Sequence, residues 1–111
     1  MQRTTITEAV KILESSLALF DHAYWISTEV RTKDYCHDLT STLQKELSEL
    51  AKLSVEDHYM AYEPITITFK NSNSKIKHFN SHIADWILQT ETASALEEEL
   101  PALLQLLSPA N

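Results

Sequence analysis

The stretch PITITFKNSNSKIKHF (residues 64–79) decides between two folds for this chain. Its isoleucines alternate with β-branched threonines as in a strand, and NSNS (residues 71–74) has the length of a hairpin loop. The same residues also fit a helix, because an apolar stripe with four-and-three spacing continues to Thr90 and Pro64 suits a first helical position. We favour the long helix, because the chain has no glycine, which tight hairpin turns usually need. The stripe consists of Ile65, Phe69, Ser72, Ile76, Phe79, Ile83, Trp86 and Thr90.

Two further helices are predicted before this stretch. Thr5 and Glu8 have the spacing of a capping box, and the apolar stripe that follows predicts a first helix from about residue 5 to about residue 30. The stripe loses its phase at residues 31–34, so the second helix begins there and ends near Leu53. Residues 54–64 then form a connection with a short helical segment.

The C-terminal segment predicts a last helix after a connection at residues 90–95. Ser94 and Glu97 have capping-box spacing, and Pro101 either kinks the helix or restarts it. The leucines exceed what one packing seam needs, so a homodimer through this leucine-rich helix is a further expectation. They are Leu96, Leu100, Leu103, Leu104, Leu106 and Leu107.

These segments predict an all-α fold for a single helical domain covering residues 1–111. We expect a compact, mostly antiparallel bundle of four to five helices, because short connections favour antiparallel neighbours. The alternative is an α+β fold with a hairpin over residues 65–79 packed on helices.

Composition excludes several functional classes. Without glycine, no phosphate-binding loop, dinucleotide fingerprint or serine-hydrolase elbow can form. A net charge of −7 opposes the electrostatic attraction on which nucleic-acid binding depends, so we expect no nucleic-acid partner. After Lys77 the chain has no lysine or arginine, and a protein with a basic surface fits that acidic third.

The remaining bulk features predict a cytoplasmic protein. Cys36 is the only cysteine, so no internal disulfide can form, and we expect a small buried thiol. No apolar run approaches the ~20 residues that span a bilayer, so we expect no membrane segment.

A metal-binding hypothesis comes from His78, His82 and Asp85, which lie on one flank of the predicted long helix. Imidazoles four residues apart can share one zinc or iron ion, and a carboxylate three residues later can join them. His22 and His37 are the candidates for ligands from a facing helix. We favour the alternative, in which the three are polar residues at the edge of the apolar stripe, and we expect no cofactor.

Arg31 and His37 are separated by six positions, which resembles the Arg-x(4 to 6)-His pair of HEPN-domain ribonucleases, themselves small and all-helical. The resemblance implies RNA cleavage by this pair, but it covers two residues only. Thr32 departs from the amide or carboxylate that often follows that arginine, so we interpret the pair as part of an exposed charged turn.

These observations predict a non-enzymatic protein–protein interaction module. We expect an acidic adaptor, inhibitor, chaperone or immunity-type protein that binds another protein through a helical face. The large aromatic residues are expected mostly in the core, with some as anchors on a partner surface.

Overall fold

Six α-helices and one 3-10 helix make up the regular structure of residues 4–108, the part of the chain that this computed structural model describes. No strand occurs in this range, and its β-type pairing is an isolated antiparallel bridge between Thr5 and Ala61. The predicted all-α bundle is therefore confirmed, and the alternative hairpin is not formed. The helices are α1 (Ile6–Ile26), α2 (Val30–Leu50), the 3-10 helix (Val55–Tyr59), α3 (Ile67–Lys70), α4 (Asn73–Ser81), α5 (Ile83–Trp86) and α6 (Thr90–Leu106).

The first helix begins where it was predicted, and the second ends one turn early. Thr5 and Glu8 form the reciprocal capping box, in which the Thr5 hydroxyl accepts a hydrogen bond from the Glu8 amide at 3.2 Å. Helix α2 ends at Leu50, and a turn carries the chain to Leu53. The predicted end near Leu53 therefore differs by one turn.

The junction between α1 and α2 lies earlier than predicted. It occupies residues 27–29, whereas the loss of apolar phase suggested residues 31–34. Ser27 is the C-cap of α1 and has extended backbone geometry; its hydroxyl and its amide both donate to the carbonyl oxygen of Ala23, at 2.7 and 3.1 Å. The carbonyl of Tyr24 in the last turn accepts from the Lys33 ammonium at 2.7 Å, and no described residue has a positive φ.

The long helix predicted over residues 65–90 is wrong, because the stretch is divided into three helices. Residues 61–66 are not helical, so Pro64 precedes α3 and does not begin it. The Thr66 hydroxyl caps α3 by accepting a hydrogen bond from the Phe69 amide at 3.1 Å. At the other end, the Ser72 hydroxyl donates a hydrogen bond to the Phe69 carbonyl oxygen at 2.7 Å. Polar side chains that form hydrogen bonds with backbone groups therefore interrupt the helix, although the apolar stripe continues.

Helix α6 begins at Thr90, not after Ser94, so the predicted Ser94–Glu97 capping box is not used. Pro101 lies inside the helix, which continues to Leu106 without a restart. The last three residues of the predicted helix, 109–111, lie outside the described residues.

The core lies between α1 and the helices around it. Helix α1 packs against both α2 and α6, and α4 packs against α6. Phe20 of α1 meets Phe79 of α4 edge-to-face, with ring centroids 5.3 Å apart. Among residues 4–108, no helix combines the length and the apolar character that crossing a membrane requires.

Candidate functional site

A helix break at His82 divides the stretch that carries the three residues of the metal-binding hypothesis. His78 lies in α4, His82 joins α4 to α5, and Asp85 lies in α5. The two imidazole centroids are 4.4 Å apart, whereas Asp85 lines a groove with the connection between α1 and α2. Within residues 4–108, no three histidine, cysteine, aspartate or glutamate side chains form a group able to hold a metal ion. The structure thus brings together the histidines without the carboxylate.

An aromatic cluster surrounds the two histidines. The His82 ring stacks on Trp86 with centroids 4.9 Å apart, and the His78 ring stacks on Tyr35 at 5.5 Å. Tyr35 and Trp86 also contact each other at 5.0 Å. Tyr35 could not be identified from the sequence, because Tyr35 belongs to α2 and only the packing of the helices brings its ring to the histidines.

The other residues with possible chemistry lie on α2. Arg31 and His37 are both exposed, Arg31 in the first turn directly after the junction with α1 and His37 six positions further along the same helix. Cys36 is buried, as predicted, and burial raises the pKa of its thiol to about 12. A thiol with that pKa is a poor nucleophile at neutral pH.

Exposed apolar side chains are concentrated in one short segment. Within residues 4–108, eight large hydrophobic residues are exposed, and five of them fall between residues 55 and 67. Tyr59 is 80% exposed and Met60 is 61% exposed. We call these five residues the 55–67 surface: Val55, Tyr59, Met60, Ile65 and Ile67.

Backbone pairing with the start of α1 fixes one side of this surface. The amide of Ile6 donates to the carbonyl of Met60 at 2.9 Å, and the amide of Tyr62 donates to the carbonyl of Thr4 at 2.8 Å. The Thr7 hydroxyl donates to the carbonyl of His58 at 3.1 Å. The exposed side chains of this side therefore project from an anchored backbone.

Buried Glu46 fixes the other side. Its carboxylate accepts hydrogen bonds from the Tyr62 hydroxyl, from the Ile65 amide at 2.8 Å, and from the Thr66 amide and hydroxyl at 2.9 and 2.8 Å. Burial, together with the Glu46 carboxylate, raises the pKa of Tyr62 above its ordinary value. Glu46 was missed from sequence, although it is the one charged residue on the buried stripe Leu39, Leu43, Glu46 and Leu50.

The segment that carries the 55–67 surface is acidic in sequence, while Lys45 of α2 lines the groove beside Ile65. Between Lys52 and Lys70 the chain has no lysine or arginine, whereas Glu56, Asp57 and Glu63 are carboxylates. Lys52 itself forms an ion pair with Glu49 at 2.7 Å. The segment therefore offers the carboxylates of Glu56 and Asp57 to a basic partner.

The leucines of α6 face the core of the same chain. Leu96, Leu100 and Leu103 are fully buried, and Leu106 is 5% exposed. Leu104 and Leu107 are partly buried and pack against the same core. The leucines on which the homodimer expectation was based are therefore buried or partly buried within the chain itself.

Comparisons with known proteins identify no relative of this chain. No family model matches the chain, and neither the curated proteins nor the solved structures give a match.

Proposed function

We propose that this protein is a non-enzymatic interaction module that docks another protein onto the 55–67 surface. The observation that carries the proposal is the concentration of exposed large apolar side chains in that segment. At roughly 150–250 Å² for each large side chain, their exposed fractions amount to about 600 Å² of surface. Summed along the segment, that area is comparable with the ~800 Å² that each partner contributes to a standard interface.

The anchoring of the segment supports this proposal. Binding costs free energy when side chains and loops must become ordered, and a backbone that is already fixed avoids part of that cost. Residues 60–62 are paired with residues 4–6, and Glu46 fixes residues 62–66. Tyr59 and Met60 are thus presented in a defined position, as binding hot spots require.

The proposed partner has an apolar anchor surrounded by basic residues. Its apolar side chains contact Tyr59 and Met60, and its lysines or arginines face Glu56 and Asp57. Opposite charges around an apolar centre increase the association rate and exclude acidic partners. An open groove between α2 and residues 65–68 extends this surface beside Ile65.

The proposal is tested by capture from the native lysate with a matched control. Tyr59→Ser combined with Met60→Ser removes the centre of the surface. The control, Trp25→Ser combined with Leu88→Ser, removes apolar residues that are equally exposed, at 72% and 85%, outside this surface. We expect one basic protein to be retained by the wild type and by the control but not by the double variant.

Reconstitution with the purified captured protein gives the quantitative test. Loss of two central hot-spot side chains is expected to weaken binding by at least 30-fold, or about 2 kcal/mol. Equal binding by the Tyr59/Met60 variant and the wild type would contradict the proposal. So would a wild-type protein that is monomeric by light scattering and retains nothing from its native lysate.

A further inference from the structure

The end of α4 prepares the His82 imidazole for a ligand. The His82 amide donates to Phe79, at 3.0 Å, so the carbonyl of His78 lacks the partner that a continued α-helix would give it. That oxygen is instead contacted by the Ser81 hydroxyl and by Nδ1 of His82, each at 2.8 Å. A carbonyl oxygen only accepts, so Nδ1 of His82 carries the hydrogen and the neutral ring has its lone pair on Nε2. Metal-binding histidines commonly have this arrangement, with one nitrogen donating to a carbonyl and the other free to coordinate.

The separation of the two rings allows one metal ion to bind both. A metal ion bound at about 2.0 Å by one nitrogen of each ring lies roughly 3.1 Å from each ring centroid. Right-angled coordination then places the centroids about 4.5 Å apart, and tetrahedral coordination places them about 5.1 Å apart. The observed separation of the His78 and His82 centroids is 4.4 Å, short enough for one ion to contact a nitrogen of each ring.

From this geometry we propose that His78 and His82 bind one Cu²⁺ ion through adjacent coordination positions, with water at the others. Cu²⁺ prefers tetragonal nitrogen sites and binds more tightly than the other divalent first-row metals. Stacking on Tyr35 and Trp86 holds both rings in place. Lys75, whose ammonium lies 5.4 Å from the centre of the Tyr35 ring, is paired with Asp38 at 2.8 Å, which reduces its repulsion of the metal. This site is independent of the docking surface and does not include Asp85.

Titration of tag-free protein with Cu²⁺ tests the site. We expect one tightly bound ion per chain, with electron paramagnetic resonance coupling to two imidazole nitrogens. His78→Ala and His82→Ala are each expected to weaken this binding at least tenfold. His22→Ala is the matched control, because His22 is an exposed histidine on α1 whose ring bonds to Gln89. Equal weakening in the control, or unchanged binding in both test variants, would overturn the proposal.

Tryptophan fluorescence provides a second measurement that locates the ion. Trp86 stacks on His82, whereas Trp25 is 72% exposed and belongs to α1. In the Trp25→Phe variant, Cu²⁺ is expected to quench Trp86 with the same midpoint as the titration, and adding His82→Ala is expected to abolish that quenching. Circular dichroism of each variant verifies that the fold is retained. Quenching that persists without His82, or no quenching of Trp86 by bound Cu²⁺, contradicts the assignment.

Discussion

Replacing Glu46 with alanine is expected to remove the main anchor of residues 62–66. The Glu46 side chain is fully buried, and each of its two carboxylate oxygens accepts two hydrogen bonds. The Tyr62 hydroxyl is buried and loses its acceptor, at a cost of about 1–3 kcal/mol. The Ile65 and Thr66 donors are only part-buried, so water replaces some of what they lose. We expect a total loss of about 4 kcal/mol of a stability of roughly 5–15 kcal/mol.

Thermal and urea unfolding followed by circular dichroism measure this loss. For a chain of this length, about 4 kcal/mol corresponds to a decrease in Tm of roughly 15–20 °C. Glu46→Gln is expected to lower the stability almost as much. Its side-chain NH2 group would replace one carboxylate oxygen and, being a donor, could not accept the two hydrogen bonds that this oxygen accepts. Tyr62→Phe removes one charged hydrogen bond and is expected to cost about 2 kcal/mol.

Glu49→Gln is the matched control, since Glu49 lies one turn later on α2 and forms a surface ion pair with Lys52. Surface pairs of this kind contribute at most about 1 kcal/mol. If Glu46→Ala destabilised the protein no more than Glu49→Gln, the assigned role of Glu46 would be refuted.

Three further predictions concern stability and reactivity. Because burial raises the pKa of Cys36 to about 12, its native thiol should react with Ellman's reagent at pH 8 roughly 100-fold or more slowly than in denaturant; equal rates would contradict its burial. The raised pKa of Tyr62 means that the folded form keeps a proton which the unfolded chain loses above about pH 10, so the free energy of unfolding should fall as the pH rises through that value. Tyr62→Phe should make that fall shallower in urea titrations at pH 9 and 11, and an unchanged slope would count against the assignment. Thr5→Ala should cost about 0.5–2 kcal/mol through loss of the cap, whereas Ser54→Ala, at a residue with no side-chain cap bond, should cost less in the same unfolding assay.

Much of the core was predictable because apolar spacing reports which side of a helix is buried. Phe69, Ile76, Phe79 and Ile83 are all buried, although the helix predicted to carry them is divided. Spacing does not report continuity, since a short polar side chain such as Ser72 can end a helix locally without changing the phase of the stripe.

The candidate sites were less predictable because they depend on contacts between distant parts of the chain. The donors to Glu46 are 16 to 20 residues away, and two of them are backbone amides that no side-chain pattern marks. Tyr59 and Met60 resemble core residues in the sequence, and only the path of residues 54–66 leaves them exposed. The contact of His78 with His82 was expected from their spacing, whereas the place of Asp85 in the lining of a groove beside residues 26–29 could not be predicted from it.

Hydrogen–deuterium exchange on the complex with the captured protein tests the docking proposal most directly. Partner binding at the 55–67 surface is predicted to slow the exchange of amides in residues 55–68 and in the adjoining face of α2. Amides at the opposite end, around residues 25–30 and 85–90, are predicted to exchange as in the free protein. Protection confined to α6 or to that opposite end, with residues 55–68 exchanging as in the free protein, would contradict the account.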